Sequence, residues 1–187
     1  MPRVFANLTI SLLALYGRFV RASQSFSALS YDDKILDGFY DIWFIGGKPA
    51  VPTIPSLTEL HEQPFSHGAK TEAVVVNRVQ DPELVEFGQK ALAMAVDFRS
   101  QTSHHVGRVL IHRLAILVAN HMGGPVFDQE NVLLKYQMMS SSLRASIRSA
   151  VMPLGRLTIG LARHRALLFK VSNLLHRGQP SEKSISF

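Results

Sequence analysis

The sequence predicts an α+β domain, mainly helical, entered through a short β-containing segment. Three observations predict it. Apolar residues recur at helical spacing through most of the second half of the chain. A β-branched run, TEAVVVNR at 71–78, stands apart between turn-rich sequence and a helix start. Helix punctuation falls where the periodicity begins and ends, with Asp81-Pro82-Glu83 opening one helix and Gly123-Gly124-Pro125 closing another. The 187 residues are 47% hydrophobic and 18% charged, enough material for one core.

The first 31 residues carry Arg3, Arg18 and Arg21 but no acid. Val4, Phe5, Leu8, Leu12, Leu15 and Phe19 lie across a helical wheel from Asn7, Ser11 and Arg18. That pattern predicts an amphipathic helix that covers a core, with an organelle transit peptide as the alternative. Asp37-Gly38 signals a turn, and the aromatic run after it a short strand. Glycines and prolines make 46–69 a loop, with one helical turn at 56–61.

Asp81 suits a helix cap, Pro82 the first helical position, and Glu83 the positive end of the helix dipole. This helix is expected to run through Phe98. The next spans 106–122 with Val109, Leu110, Leu114, Leu117 and Val118 as its apolar stripe. A third covers 131–149, ended by Pro153 and Gly155, and a fourth 159–175. Beyond Gly178 the tail QPSEKSISF is polar and expected to be loose.

Several chemistries are excluded or disfavoured. With no cysteine, the chain has no disulfide, no thiolate metal site and no thiol nucleophile. The glycine-rich loop, H-R-D and D-F-G elements of a protein kinase are absent. Gly46-Gly47-Lys48 lacks the spacing of a phosphate loop. His104, His105 and His112 do not share the four-residue spacing of helical metal ligands, so neither metal nor cofactor is expected. No apolar run reaches the roughly 18–20 residues of a membrane span.

The net charge of +6 is concentrated late, with Arg144, Arg148, Arg156, Arg163, Arg165, Lys170, Arg177 and Lys183 against Glu182 alone. No recognition motif accompanies it, so a solvated face or an acidic protein partner is expected rather than nucleic acid.

The densest stretch is VMPLGRLTIGLARHRALLFK at 151–170. A turn followed by a new helix start is where a papain- or transglutaminase-like fold places its cysteine, because the helix dipole stabilises a thiolate. Here the side chain is the methyl group of Ala162. Leu161, Leu167, Leu168 and Phe169 are expected to pack inside.

YDDKILDGFYDIW at 31–43, HMGGPV at 121–126 and above all LGRLTIGLARHRALLFKV at 154–171 resemble one family. It is the peptidase-like N-terminal region of plant Raf-like MAP kinase kinase kinases of the Enhanced Disease Resistance and Constitutive Triple Response type. The resemblance covers 28–171 and implies an incomplete papain/transglutaminase-like domain. It leaves 1–27 as a non-family amphipathic segment and 172–187 as a divergent tail. The family's element reads G-L-C-R-H-R, so Ala162 stands at its cysteine.

The resemblance implies a non-catalytic regulatory fragment in stress or hormone signalling, cytoplasmic, with a protein partner such as a Raf-like kinase, or with itself. Arg163, His164 and Arg165, within the 157–169 segment, are expected as core and possible contact residues. The alternatives are residual hydrolase-type activity and an unstable truncated product. Family strands that follow LLFKV do not follow here, so one apolar face of the last helix is expected to lack its sheet.

Overall fold

In the computed structural model, residues 35–44, 55–62, 71–99 and 106–177 are described, so the expectations for 1–27 and the tail lie outside them. The elements run β1 (Tyr40–Phe44), α1 (Leu57–Glu62), β2 (Thr71–Val75), α2 (Pro82–Arg99), α3 (Val106–His121), α4 (Gln129–Ile147), β3 (Val151–Pro153), a 3-10 turn (Leu154–Arg156) and α5 (Ala162–Arg177). The domain is α+β and mainly helical.

The three strands form one sheet with β2 in the middle. β1 runs antiparallel to β2, with Asp41 opposite Val74 and Trp43 opposite Glu72. β3 runs parallel to β2, with Val74 opposite Met152. Strand side chains alternate between faces. Ala73 and Val75 meet Leu57 and Leu60 of α1 on one face, while Val74 joins Met152, Leu167, Leu168 and Val171 on the other. A strand covered on both sides reads as continuous apolar sequence, which is why AVVV carries no alternation.

The helices α2, α3 and α5 close the main core over the second face. Ala91 and Ala95 of α2 pack with Leu110 and Leu114 of α3, the small methyl groups leaving room for the leucines. Val109, expected in the α3 stripe, is 40% exposed instead, and Ala115 and Ala119 take buried positions. The last helix does not lack a sheet. Leu167, Leu168 and Val171 are buried in the core with Val74 of β2 and Met152 of β3, so the expected bare face is covered within the chain.

Three helix boundaries also differ from expectation. α4 begins two residues earlier because Asp128 caps it, accepting from the N–H groups of Glu130 and Asn131. It ends at Arg148, in the left-handed conformation with φ 51°, well before Pro153. Val151–Pro153 is thereby free to pair as β3. α5 starts at Ala162, three residues late, because Gly160 is held against the end of α3. Its N–H donates to Met122 O at 3.3 Å, and a Cβ on it would stand 2.2 Å from Met122 Sδ.

Candidate functional site

Two strands, β1 and β2, and two helices, α3 and α4, meet around the N-terminus of α5. Leu161 precedes that helix, and its carbonyl accepts the first helical hydrogen bond, from Arg165 N at 3.1 Å. Ala162, Arg163, His164 and Arg165 therefore make up the first turn, where the dipole is positive and basic side chains are disfavoured. The sequence places two arginines there, and each is answered by a different part of the fold.

Arg163 turns towards the sheet. Its Nη2 donates to Glu72 Oε1 at 3.1 Å, and its Nε lies 3.5 Å from Asp41 Oδ2. Its guanidinium carbon sits 4.3 Å from the centroid of Trp43, a cation–π contact. The pleat explains the set. Asp41 and Trp43 are two apart on β1 and share a face, and Glu72 is Trp43's direct partner across the ladder. Tyr136 of α4 donates to the same Glu72 Oε1 at 2.6 Å. Arg163 Nη1 is buried and has no hydrogen-bond partner among the described residues.

His164 is fully buried and stacks at a tilt on Tyr136, with ring centroids 4.8 Å apart. Arg163 Nε donates to its Nε2 at 2.8 Å, and the Leu161 N–H points at its Nδ1 from 3.3 Å. A neutral imidazole accepts at one nitrogen only, and the shorter contact takes that role. Burial first, then the charges of Arg163 and Arg165, hold its pKa well below the ordinary 6.5. The ring is neutral and committed to Arg163.

Burial raises the pKa of the Asp41 carboxyl above 3.8, Arg163 opposes the rise, and Glu72 adds to it. Burial is also the largest cause raising the Tyr136 hydroxyl, with the Glu72 charge next. It therefore stays a donor.

Arg165 turns the other way, into the C-terminal end of α3. Its Nε donates to Gly160 O at 2.7 Å, Nη1 to Gly124 O at 2.7 Å and Nη2 to Met122 O at 2.5 Å. These carbonyls include those left open where α3 ends, so the planar fork of arginine closes α3 and anchors α5 together. A parallel device fixes α2. Asp81 Oδ1 accepts from Leu84 N at 3.0 Å, capping the helix as expected, and Oδ2 accepts from Gly155 N at 2.7 Å.

All three side chains of the Arg163-His164-Arg165 cluster thus point into the protein. Direct contact with a partner through them requires their exposure. Ala162 lies at the first position of α5, half-buried, and brings a methyl group to that helix start. Asp41, Glu72 and Tyr136 were not singled out from sequence. The one available signal was an acid, Glu72, inside a run of strand residues that is otherwise apolar. Among the described residues no group of three His, Cys, Asp or Glu side chains is placed to hold a metal ion. His104 and His105 lie outside those residues.

The site and fold together define an α+β domain in which the start of α5 is seated on a small three-stranded sheet. The chain belongs to the EDR1/CTR1/ARMC3 peptidase-like family, whose pattern matches residues 22–173. It is 49% identical over 148 residues to the probable serine/threonine-protein kinase SIS8 of Arabidopsis thaliana, covering 79% of this chain. It is 33% identical over 153 residues to the serine/threonine-protein kinase CTR1 of the same plant, covering 76% of this chain. The aligned region is only 14% and 18% of those two kinases. No solved structure matches the chain. No helix among the described residues is long and apolar enough to cross a membrane.

Proposed function

We propose that this domain is a non-catalytic regulatory module that binds a signalling protein, a Raf-like kinase being the first candidate, in the cytoplasm. The reading is supported by one observation above the others. Glu72, Tyr136, His164 and the Nε and Nη2 of Arg163 are engaged with each other behind the start of α5, and Ala162 supplies no nucleophile in front of them. His164 is neutral but its accepting nitrogen is occupied by the Arg163 N–H, so it has no free lone pair with which to take a proton from a substrate. The cluster's work is to fix α5 on the sheet.

Two measurements test the reading. Retention of the purified chain by the immobilised kinase domain of a relative is expected, and its failure to bind would count against the partner assignment. The Ala162→Cys variant is expected to turn over no member of a peptide and ester panel. Turnover above the buffer rate would instead place a reactive centre at this helix start.

A further inference from the structure

We infer that the outer face of α4 is a homodimerisation seam that packs, in parallel, against α4 of a second copy of this chain. The inner face of α4 is spent on its own domain. Tyr136, Ser140 and Arg144 are buried along it, and Met139, Leu143 and Ile147 pack against the core. The opposite face carries Leu134 at 61% exposure and Met138 at 75%. Phe127, just ahead of the cap, is 88% exposed. That is the position from which an apolar residue ordinarily folds back onto its own helix, and here it does not.

The occupant is indicated by the pattern around this stripe. Asn131, Leu134, Met138, Ser141 and Ala145 follow the alternating four- and three-residue spacing of a coiled-coil seam, with Asn131 and Met138 in the a position and Leu134 in d. Glu130 flanks the seam on one side and Lys135 on the other, five residues later. In a parallel pair each Glu130 faces the partner copy's Lys135, and the two asparagines meet across the axis. In an antiparallel pair like flanks meet, and Lys135 finds no acid. Neither residue is in an ion pair within its own chain among the described residues. The surface is therefore complementary to itself in one orientation. The seam is about two heptads long, so it buries less than the roughly 1,600 Å² of a standard interface, and the dimer is weak. The inference stands independently of which kinase the domain binds.

Sedimentation of the full chain between about 1 and 200 μM tests it, since a dimer with Kd on the order of 10 μM crosses from monomer to dimer in that range. Leu134→Glu and Met138→Glu are each expected to raise Kd at least tenfold with an unchanged thermal transition, because both side chains are exposed. Glu130→Lys and Lys135→Glu weaken the dimer singly, and the double exchange restores it. The chain has no cysteine, so Asn131→Cys provides a clean probe of orientation. Mild oxidation is expected to yield a covalent dimer from that variant and not from a control with Gln89→Cys on α2. A chain that stays monomeric at every concentration would overturn the inference, as would a dimer indifferent to Leu134→Glu and Met138→Glu. A dimer whose Asn131→Cys variant resists crosslinking would overturn the parallel pairing.

Discussion

Arg163 and Glu72 stand 91 positions apart in the chain and meet at 3.1 Å, with 8% and 2% of their side chains exposed. The pair ties the start of α5 to the central strand. Ion pairs this deep contribute little net energy as a pair, yet removing one partner strands the other in a medium that cannot solvate it. Arg163→Met is therefore expected to cost about 3–5 kcal/mol in urea denaturation. Glu72→Gln is expected to cost less, because Asp41 still faces the guanidinium. A double-mutant cycle should return a coupling of at least about 1 kcal/mol. Additive losses would show that the contact does not hold the helix.

The buried imidazole sets an acid limit on stability. His164 has its folded pKa held well below 6.5, so its contribution is present above that value and is lost as pH falls. Below pH 6.5 the unfolded chain takes up a proton that the folded chain refuses, and stability drops by up to about 1.4 kcal/mol per pH unit. Asp41 acts in the opposite sense. Its raised pKa contributes stability that is lost as pH rises from 3.8 through the folded value. Denaturation midpoints at pH 7.0, 6.0 and 5.0 should fall with acid, and His164→Gln should flatten the slope while lowering the plateau.

Asp81 serves two elements with its two oxygens. Asp81→Ala removes the cap of α2, worth about 1 kcal/mol. It also strands the buried Gly155 N–H, at about 1–3 kcal/mol more. A total near 2–4 kcal/mol is expected from thermal or urea unfolding. Gly155→Ala attacks the same junction from the other side, since its Cβ would stand 2.2 Å from Leu84 N. That contact is with backbone and cannot be relieved by a rotamer change, so this variant is expected to fold poorly or lose at least as much.

Arg165→Lys tests whether charge or shape matters at the end of α3. An ammonium on a flexible stem cannot satisfy the carbonyls of Met122, Gly124 and Gly160 at once, as the guanidinium does. A loss of about 2–4 kcal/mol is expected despite the retained charge. Faster amide exchange at the last turn of α3 should accompany it. A lysine variant as stable as the parent would assign Arg165 an electrostatic role only.

Much of the fold could be read in order along the chain. The turn at Asp37-Gly38, the strand at 71–75, the Asp81 cap and the double-glycine stop all act through local backbone chemistry. Gly123 and Gly124 adopt φ of 89° and 85°, a conformation that side chains resist. The exact ends of the helices are not legible in this way. Arg148 takes the left-handed conformation glycine usually fills, so α4 stops before its proline and β3 can form. Gly160 is pinned by Met122, so α5 starts late.

By itself the sequence determined the mainly helical α+β class, the absence of any thiol, and a methyl group, Ala162, in the segment where the last helix opens. These follow from composition and from interactions spanning a few residues. Only the tertiary structure decided the roles of Arg163, His164 and Arg165. Adjacent in sequence, they diverge in space because successive residues on a helix point about 100° apart. One is sent to the sheet, one into the core against Tyr136, and one to the open carbonyls of α3. The partners that give each its role, Glu72, Tyr136 and Met122, are brought within reach only when the sheet and helices close on one another.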